Sequence, residues 1–409
     1  MGIAMTPLEA FAIVTGGVVS LRSHETLPVF LLSGRIAAGP VRSPTALPRF
    51  DHSAVDGYGI PDDRLATDVL RRFEVASFVA AGDAAAPPLV SGKAVKLATG
   101  APVSSGVAAV VMQERCRVTG GDVLVEGTVE RGENIRRRGE DIVVGANLIE
   151  PGVLLDARHV ALLTAAGVAQ VKVVRRLRVA VLSTGNELRP LGANAAPDEI
   201  YDANRPMLMA LLRLPWIELV DAGIVGDNTA VLAKAFRELA GNVDAVISSG
   251  GVGGSQTDHI AAALLAAGGR TRPLRIAQRP GKPLVIGSIG ETPFLGLPGS
   301  TVAALVNFCL YGLPMLAARA GANPAWSPGQ AAVSRSAIGH PAGRTDFLPA
   351  RIVGSHQDGR PVLERLGQGA AALPPLLAAD GLMEVGGEGG DVPAGGGVVF
   401  HPFTTRFRL

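Results

Sequence analysis

The sequence predicts a multidomain α/β protein, on the basis of three observations. Apolar strands, polar or glycine-rich loops and helices alternate through residues 177–321, which is typical of a parallel sheet covered by helices on both faces. Residues 50–145 and 324–409 instead contain short β-like segments separated by glycine and proline turns, which indicates two small β domains. A length of 409 residues is sufficient for about two to four domains.

The remaining segments are predicted from apolar spacing. Helical spacing predicts a helix over residues 7–38, and the prolines that follow predict an extended segment. A helix is predicted over residues 154–167 and a strand over residues 168–174. In the α/β region the predicted strands are residues 178–182, 218–225, 245–248, 284–286 and 294–297, and the predicted helices are residues 204–214, 229–239, 260–267 and 302–318.

Composition argues against several classes of protein. The 38 basic and 36 acidic residues nearly balance, so nucleic-acid binding is not favoured. The two cysteines, Cys116 and Cys309, are far apart in sequence, which favours neither a disulfide framework nor a structural zinc site. The N-terminus lacks the basic region of a signal peptide, and no run of 18 apolar residues is present. We therefore expect a cytoplasmic protein.

Four loops of the α/β region follow predicted strands and carry the candidate binding groups: residues 183–189, 226–228, 248–258 and 296–300. In an open parallel sheet, ligands bind beyond the carboxyl ends of the strands. The glycines of two of these loops would let the backbone approach a phosphate closely. One such loop alone is more simply a tight corner, but several converging loops favour a pocket for a phosphorylated ligand.

Three acidic residues lie in the same loops: Glu187, Asp227 and Asp258. Asp227 and Asp258 each precede a predicted helix, so each could instead be a helix cap. Glu187 does not precede a predicted helix, so it has no role as a helix cap. Three carboxylates beside a phosphate pocket favour a Mg²⁺ site.

Positive charges form two clusters. Arg279 and Lys282 lie on a proline-stiffened turn, residues 279–283. Residues 136–138 are three consecutive arginines, of which at least one is more simply part of a solvated face. Lys282 is not followed by Ser or Thr, so it does not form a Walker A loop, and residues 250–254 lack the spacing of a dinucleotide-binding loop.

Nine motifs together resemble the molybdopterin molybdenumtransferase family. They are SAVDGY at 53–58, ATGAP at 98–102, VVMQE at 110–114, NIRRRGEDI at 134–142, LSTGNEL at 182–188, DAN at 202–204, SSGGV at 248–252, RPGKP at 279–283 and GLPG at 296–299. The resemblance implies four domains: a discontinuous elongated dimerisation domain (1–49 with 143–176), an inserted β domain (50–142), an α/β molybdopterin-binding domain (177–323) and a barrel-like C-terminal β domain (324–409).

The resemblance also implies an activity, insertion of molybdate into adenylylated molybdopterin with release of AMP, and a homodimer with a site shared between subunits. It implies catalytic roles for Asp56, Thr99, Asp141, Glu187, Asp227 and Asp258, the last three of which would hold Mg²⁺. It implies molybdate binding by Arg279, Lys282, Pro283 and Arg344. It implies pterin or phosphate binding by Thr184, Gly185, Ser248, Gly250, Gly251, Pro298, Gly299 and Ser300. We expect Glu187, Asp227, Asp258 and Lys282 to surround one cavity.

Three positions depart from the family pattern. Gly253 and Ala370 stand where the family has Ser, and Ser300 stands where it has Asn. Ser300 could still cap the following helix. These departures keep open an alternative, a catalytically weakened relative that binds molybdopterin or delivers the cofactor to a molybdoenzyme. A scaffolding role is disfavoured because the chain has no long linker or added partner domain.

Overall fold

The computed structural model describes residues 4–62, 65, 70–253, 259–367 and 372–403. Within these residues it contains three six-stranded sheets and several two-stranded pairs. The α/β multidomain fold is therefore confirmed.

The N-terminal helix is much shorter than predicted. It spans Pro7–Gly16 and begins at a capping box, in which Thr6 Oγ1 accepts from the Glu9 amide and the Glu9 carboxylate accepts from the Thr6 amide. The prediction of a helix over residues 7–38 is wrong beyond Gly16, because two consecutive glycines end the helix. The strand His24–Pro28 follows and pairs with Gln170–Val174, a partner that local spacing does not reveal.

A helix and a second strand pair complete this part of the fold. The helix spans Ala157–Ala165, and Asp156 caps it by accepting from the amides of Arg158 and His159. The strand Val41–Arg42 pairs with Asn147–Ile149. Chain segments before and after the first β domain therefore build the same layer.

The first β domain is confirmed as a β structure, and the structure forms it as a six-stranded sheet. Its core is formed by buried apolar side chains such as Phe73, Val111 and Val123. In spatial order its strands are Val107–Met112, Gly57–Pro61, Lys93–Leu97, Arg71–Val79, Asp122–Val125 and Cys116–Thr119. A short strand pair, His52–Ser53 with Ile135–Arg136, lies where the chain enters and leaves this sheet.

The central α/β sheet has six strands: β1 Leu177–Thr184, β2 Ile217–Val225, β3 Ala245–Ser249, β4 Arg270–Arg275, β5 Pro283–Ile289 and β6 Thr292–Leu297. Their order is β2-β1-β3-β6-β5-β4. The first four are parallel, but β5 runs antiparallel to both β6 and β4. The prediction of a parallel sheet is therefore right for four strands and wrong for β5, and the sheet is mixed. The edge strand β4 is rich in arginine and proline, and apolar patterning did not predict it.

Two apolar clusters cover the faces of this sheet. Val179 and Val181 point to a cluster that includes the N-terminal helix, the helix α1 (Asn204–Leu211) and the long helix Thr301–Arg319. Ala180 and Leu182 point to the opposite cluster, which includes α2 (Thr229–Ala240) and α3 (Ile260–Ala266). The period of two along β1 thus separates two helical layers.

The helix Thr301–Arg319 is long and apolar enough to cross a membrane by length and composition, although it contains no unbroken run of 18 apolar residues. Its side chains explain the composition: Val302, Val306 and Phe308 are buried, and Phe308 belongs to the central apolar cluster. The apolar character is that of a core helix.

The C-terminal β domain is a closed five-stranded barrel. Thr345–Ser355 pairs with both Pro361–Arg365 and Gly381–Val385, which closes the ring through Gln330–Ser334 and Gly397–Pro402. A two-residue strand, Gln278–Arg279, pairs in parallel with Thr345 and Asp346. The loop that carries Arg279 is therefore attached to the barrel as well as to the α/β domain.

Candidate functional site

A cavity of about 480 Å³ lies at the carboxyl ends of β1, β2 and β3. We call it the acidic cavity. It brings together seven of the predicted site residues: Thr184, Gly185, Glu187, Asp227, Gly250, Gly251 and Gly299. The strand-end loops of the central sheet therefore converge as predicted from parallel topology.

Asp227 faces this cavity and does not cap a helix. Its Oδ1 accepts a hydrogen bond from Thr184 Oγ1 at 2.7 Å, and its backbone amide donates to Asn186 Oδ1 at 3.0 Å. The cap of α2 is Asn228, whose Oδ1 accepts from the amides of Ala230 and Val231. The carboxylate of Asp227 is therefore held in place by β1 and remains available to a ligand.

Glu187 is the second carboxylate of the acidic cavity. Its side chain folds over Gly185, where a Cβ atom would lie 2.7 Å from Glu187 Oε2. A glycine at position 185 therefore makes room for the carboxylate. Together with Asp227, it gives the cavity two carboxylates, the number with which Mg²⁺ is commonly bound beside a phosphate.

Asp202 is a third acid in the acidic cavity that the predicted site set did not include. It accepts a hydrogen bond from Ser183 Oγ at 2.9 Å and forms an ion pair with Arg205 at 3.0 Å. Because its charge is paired, Asp202 is less suited to a metal ion than Glu187 or Asp227. The DAN motif at 202–204 was the sequence signal that pointed here.

Asn204 joins two walls of the acidic cavity. Its Nδ2 donates to Ser249 Oγ at 2.6 Å and to the carbonyl oxygen of Gly299 at 2.7 Å. Ser249 Oγ in turn donates to the carbonyl oxygen of Pro298 at 3.2 Å. The turn after β6 is therefore fixed to the end of β3 through buried side chains, neither of which was among the predicted site residues.

Gly250 allows the close approach of two strand ends. Its φ is +101°, and a Cβ atom there would overlap the carbonyl oxygen of Thr184. Its amide donates to the carbonyl oxygen of Leu297 at 3.0 Å. The position therefore requires glycine both for conformation and for space.

We expect Gly250→Ala to lower the free energy of unfolding by roughly 1–3 kcal/mol, the usual cost of a strained backbone conformation. Denaturant-induced unfolding of the variant and the wild type measures this loss in the free energy of unfolding. Gly192→Ala is the matched control, because Gly192 also has a positive φ but a Cβ there would meet no atom within 4 Å. An equal loss in both variants would show that the contact with Thr184 contributes nothing.

A second cavity, of about 670 Å³, lies on the other side of the turn after β6. We call it the basic cavity. It is lined by six predicted site residues: Arg279, Lys282, Pro283, Pro298, Ser300 and Arg344. The expected single cavity is thus two cavities that meet at residues 298–301, since Gly299 and Thr301 line the acidic one. Pro298 and Ser300 line the basic cavity, whereas most of the other predicted phosphate ligands line the acidic cavity.

The three cations of the basic cavity differ in how they are paired. Arg344 forms two hydrogen bonds with Asp346, at 2.7 and 3.0 Å. Arg279 and Lys282 are exposed, and no carboxylate within the described part of the chain lies within ion-pair distance of either. The basic cavity therefore has two uncompensated positive charges, which favour an oxyanion.

Two predicted residues, Ser248 and Ser300, have positions that limit their roles. Ser248 is fully buried at the end of β3 and lines neither cavity. Ser300 occupies the cap position of the helix after β6, but its side chain makes no capping hydrogen bond, so the expected cap is wrong. Asp258 lies outside the described residues, as does Ala370. No cluster of three or more metal-binding side chains occurs within the described ranges.

The predicted residues of the inserted β domain line neither cavity. Asp56 Oδ1 accepts from the amide of Thr99 at 2.7 Å and from its hydroxyl at 3.0 Å. These hydrogen bonds hold the pKa of Asp56 below its usual value, and the one from the Thr99 backbone amide has the larger effect. Asp141 pairs with Arg136. Asp56 is thus an exposed, ionised carboxylate with a fixed orientation.

The arginine cluster at 136–138 is largely paired within the same domain. Arg136 contacts Glu140 and Asp141, and Arg137 contacts Asp51 at 2.7 Å. The amide of Arg138 donates to Asp51 Oδ1. The interpretation as a charged, solvated face therefore holds for at least Arg137.

Three family models match the chain. The model described as the MoeA N-terminal region (domain I and II) matches residues 5–167. The probable molybdopterin binding domain matches residues 180–318. The MoeA C-terminal region (domain IV) matches residues 331–403.

Curated relatives and solved structures agree with these models over most of the chain. The molybdopterin molybdenumtransferase of Haemophilus influenzae is 34% identical over 375 residues, which cover 91% of this chain and 92% of that protein. Molybdopterin molybdenumtransferase 2 of Mycobacterium tuberculosis is 30% identical over 90% of this chain and 93% of its own length. The crystal structure of a molybdopterin biosynthesis MoeA protein from Pyrococcus horikoshii aligns with a TM-score of 0.76 at 29% identity, covering 98% and 100% of the two chains.

Proposed function

Because the chain belongs to the molybdopterin molybdenumtransferase family, and is therefore a transferase that inserts molybdenum during cofactor biosynthesis, we propose how its two cavities share the substrates. The acidic cavity binds adenylylated molybdopterin, and the basic cavity binds molybdate. The observation that carries this proposal is the contact of the two cavities at residues 298–301. A ligand reaching across this turn would meet carboxylates on one side and free cations on the other.

The phosphate groups of the activated pterin are assigned to the glycine-rich strand ends. Gly250 and Gly251 have positive φ angles and no side chain, so their backbone can approach a phosphate closely. Thr184, Gly185 and Gly299 complete this group. Ser248 is fully buried and lines neither cavity, so it is left out of this group.

Glu187 and Asp227 are assigned to hold Mg²⁺, together with Asp258. The fit rests on two carboxylates in one cavity with phosphate-binding backbone, which is how Mg²⁺ is usually held. When bound, the ion stabilises negative charge on the phosphate oxygens as AMP departs. Thr184 keeps the Asp227 carboxylate oriented for this purpose.

Molybdate is assigned to Arg279, Lys282, Pro283 and Arg344. Molybdate is a hard oxyanion, and the uncompensated charges of Arg279 and Lys282 suit it. The two soft sulfur ligands of molybdenum come from the pterin dithiolene, so the protein needs no cysteine at the site.

We further propose a homodimer in the cytoplasm whose site is shared between subunits. Asp56, Thr99 and Asp141 line neither cavity of their own chain. Exposed, oriented carboxylates on the inserted domain fit a role in the acidic cavity of the partner subunit. The cytoplasmic assignment is supported by the core packing of the helix Thr301–Arg319.

The direct test is release of AMP from adenylylated molybdopterin supplied with molybdate and Mg²⁺. We expect release that requires both additions. Tight pterin binding without AMP release would contradict the proposal and support the alternative of a binding or delivery protein, which the departures at Gly253, Ser300 and Ala370 keep open. Omission of Mg²⁺ tests the metal assignment separately.

We expect Lys282→Ala to raise the molybdate concentration needed for half-maximal AMP release by about tenfold or more, since a charged hydrogen bond contributes roughly 1.5–3 kcal/mol. Pterin binding should stay nearly intact. Lys234→Ala, an exposed lysine of α2, is the control and should change neither quantity. Equal loss of pterin and molybdate binding in Lys282→Ala would show that the oxyanion site is misplaced.

A further inference from the structure

Beneath the cationic turn 279–283 lies a group of three buried polar side chains, Gln278, Asn307 and Tyr311. Their exposed fractions are 2%, 0% and 0%. Asn307 and Tyr311 lie on the long apolar core helix, where polar side chains are costly to bury unless their hydrogen bonds are made.

Their hydrogen bonds converge on the backbone of the cationic turn. Asn307 Nδ2 donates to the carbonyl oxygens of Gly281 at 3.1 Å and Pro283 at 3.2 Å. Gln278 Nε2 donates to the carbonyl oxygen of Pro280 at 3.0 Å. Three carbonyl groups of one five-residue turn are thus fixed by two side chains.

The three side chains also fix one another. Gln278 Nε2 donates to Asn307 Oδ1 at 2.7 Å, and the Tyr311 hydroxyl donates to Gln278 Oε1 at 2.5 Å. Burial raises the pKa of Tyr311, so its hydroxyl remains a neutral donor. Each amide oxygen therefore has a donor, and the network has one consistent arrangement.

Local backbone geometry accommodates this network. A π-helical segment, Phe308–Gly312, begins directly after Asn307 and contains Tyr311, and such segments are frequent at functional sites. Gly281 has a φ of +90°, and a Cβ atom there would overlap Asn307 Oδ1. The turn and the helix are therefore fitted to each other at this point.

We propose that Gln278, Asn307 and Tyr311 are positioning residues that hold the cationic turn so that Arg279 and Lys282 project over the basic cavity. The inference rests on the proposed binding of molybdate there. Long cationic side chains lose conformational freedom on binding an anion, and a fixed backbone reduces the part that must be ordered. The network therefore sets molybdate affinity without touching molybdate.

The first test compares Asn307→Leu with wild type in AMP release. Asn307→Leu removes both hydrogen bonds from Asn307 to the turn and keeps the number and branching of the side-chain heavy atoms. We expect the half-saturating molybdate concentration to rise about five- to tenfold, with pterin affinity and the rate at saturating molybdate unchanged. Tyr311→Phe, which removes only one hydroxyl, should raise it by roughly twofold and serves if Asn307→Leu fails to fold. Unchanged molybdate dependence in a folded variant would overturn the proposal.

A double-mutant cycle separates positioning from general destabilisation. If Asn307 acts through Lys282, the effect of Asn307→Leu on molybdate dependence should shrink markedly in a Lys282→Ala background. Thr292→Val is the control: Thr292 is buried in the same domain and bonds the Ala240 carbonyl, so it should lower thermal stability without altering molybdate dependence. If the effects of Asn307→Leu and Lys282→Ala on the half-saturating molybdate concentration were fully additive, the positioning role would be overturned. Wild-type molybdate dependence in Lys282→Ala alone would instead overturn the proposed oxyanion site.

Discussion

Asp227→Asn is expected to lower the rate of AMP release by at least about 100-fold, the range found when one charge-stabilising group is removed from an active site. The change removes the negative charge but keeps an oxygen that can accept from Thr184 Oγ1, the hydrogen bond observed at 2.7 Å. The cap of α2 is provided by Asn228, so the helix should be unaffected. AMP release at saturating pterin and Mg²⁺ measures the effect.

Two further variants identify the cause of that loss. Thr184→Val removes the hydrogen bond but leaves the carboxylate, so a much smaller loss is expected. Asp198→Asn removes an exposed carboxylate of the same domain that lines neither cavity and should be neutral. If Asp227→Asn retained more than about half of the wild-type rate, the assignment of Asp227 to the metal would be wrong.

The acidic cavity could be predicted from the sequence because it depends on topology. Parallel strands place their carboxyl ends at one edge, so the loops with Glu187, Asp227 and Gly250 had to converge once their strands were recognised. The predicted β structure of both small domains is confirmed for a different reason: short alternating segments with turn residues between them are a local signal.

The features that the sequence did not predict depend mainly on contacts between residues that are distant in sequence. Gln278 and Asn307 are 29 residues apart. The sequence of an apolar helix does not indicate that Asn307 donates hydrogen bonds to the turn at residues 279–283. Arg279 and Arg344 line one cavity because a two-residue strand attaches the turn to the barrel. The edge strand β4 was missed because its arginines and proline interrupt the apolar pattern. The division into two cavities follows from how residues 298–301 are tied to Asn204 and Ser249.

The proposed sharing of the site between subunits predicts recovery of activity from two inactive variants. Asp56→Asn changes the inserted domain, and Asp227→Asn changes the acidic cavity. If Asp56 of the partner subunit completes each site, a mixed dimer has one site with both changes and one site with neither. Random assortment would make about half of the dimers mixed, so about one quarter of wild-type AMP release should return.

The experiment denatures the two variants together, refolds them and compares the activity with that of each variant refolded alone. A mixture of Asp227→Asn with Glu187→Ala is the matched control, because both residues line the acidic cavity of one chain and no mixed dimer then has an intact site. Recovery in the first mixture and not in the second would place Asp56 in the site of the opposite chain. No recovery in either, from samples that refold and associate, would mean that Asp56 serves its own chain, and full activity of Asp56→Asn alone would mean that it serves no site. In both cases the shared arrangement would have to be abandoned while the assignment of the two cavities remained.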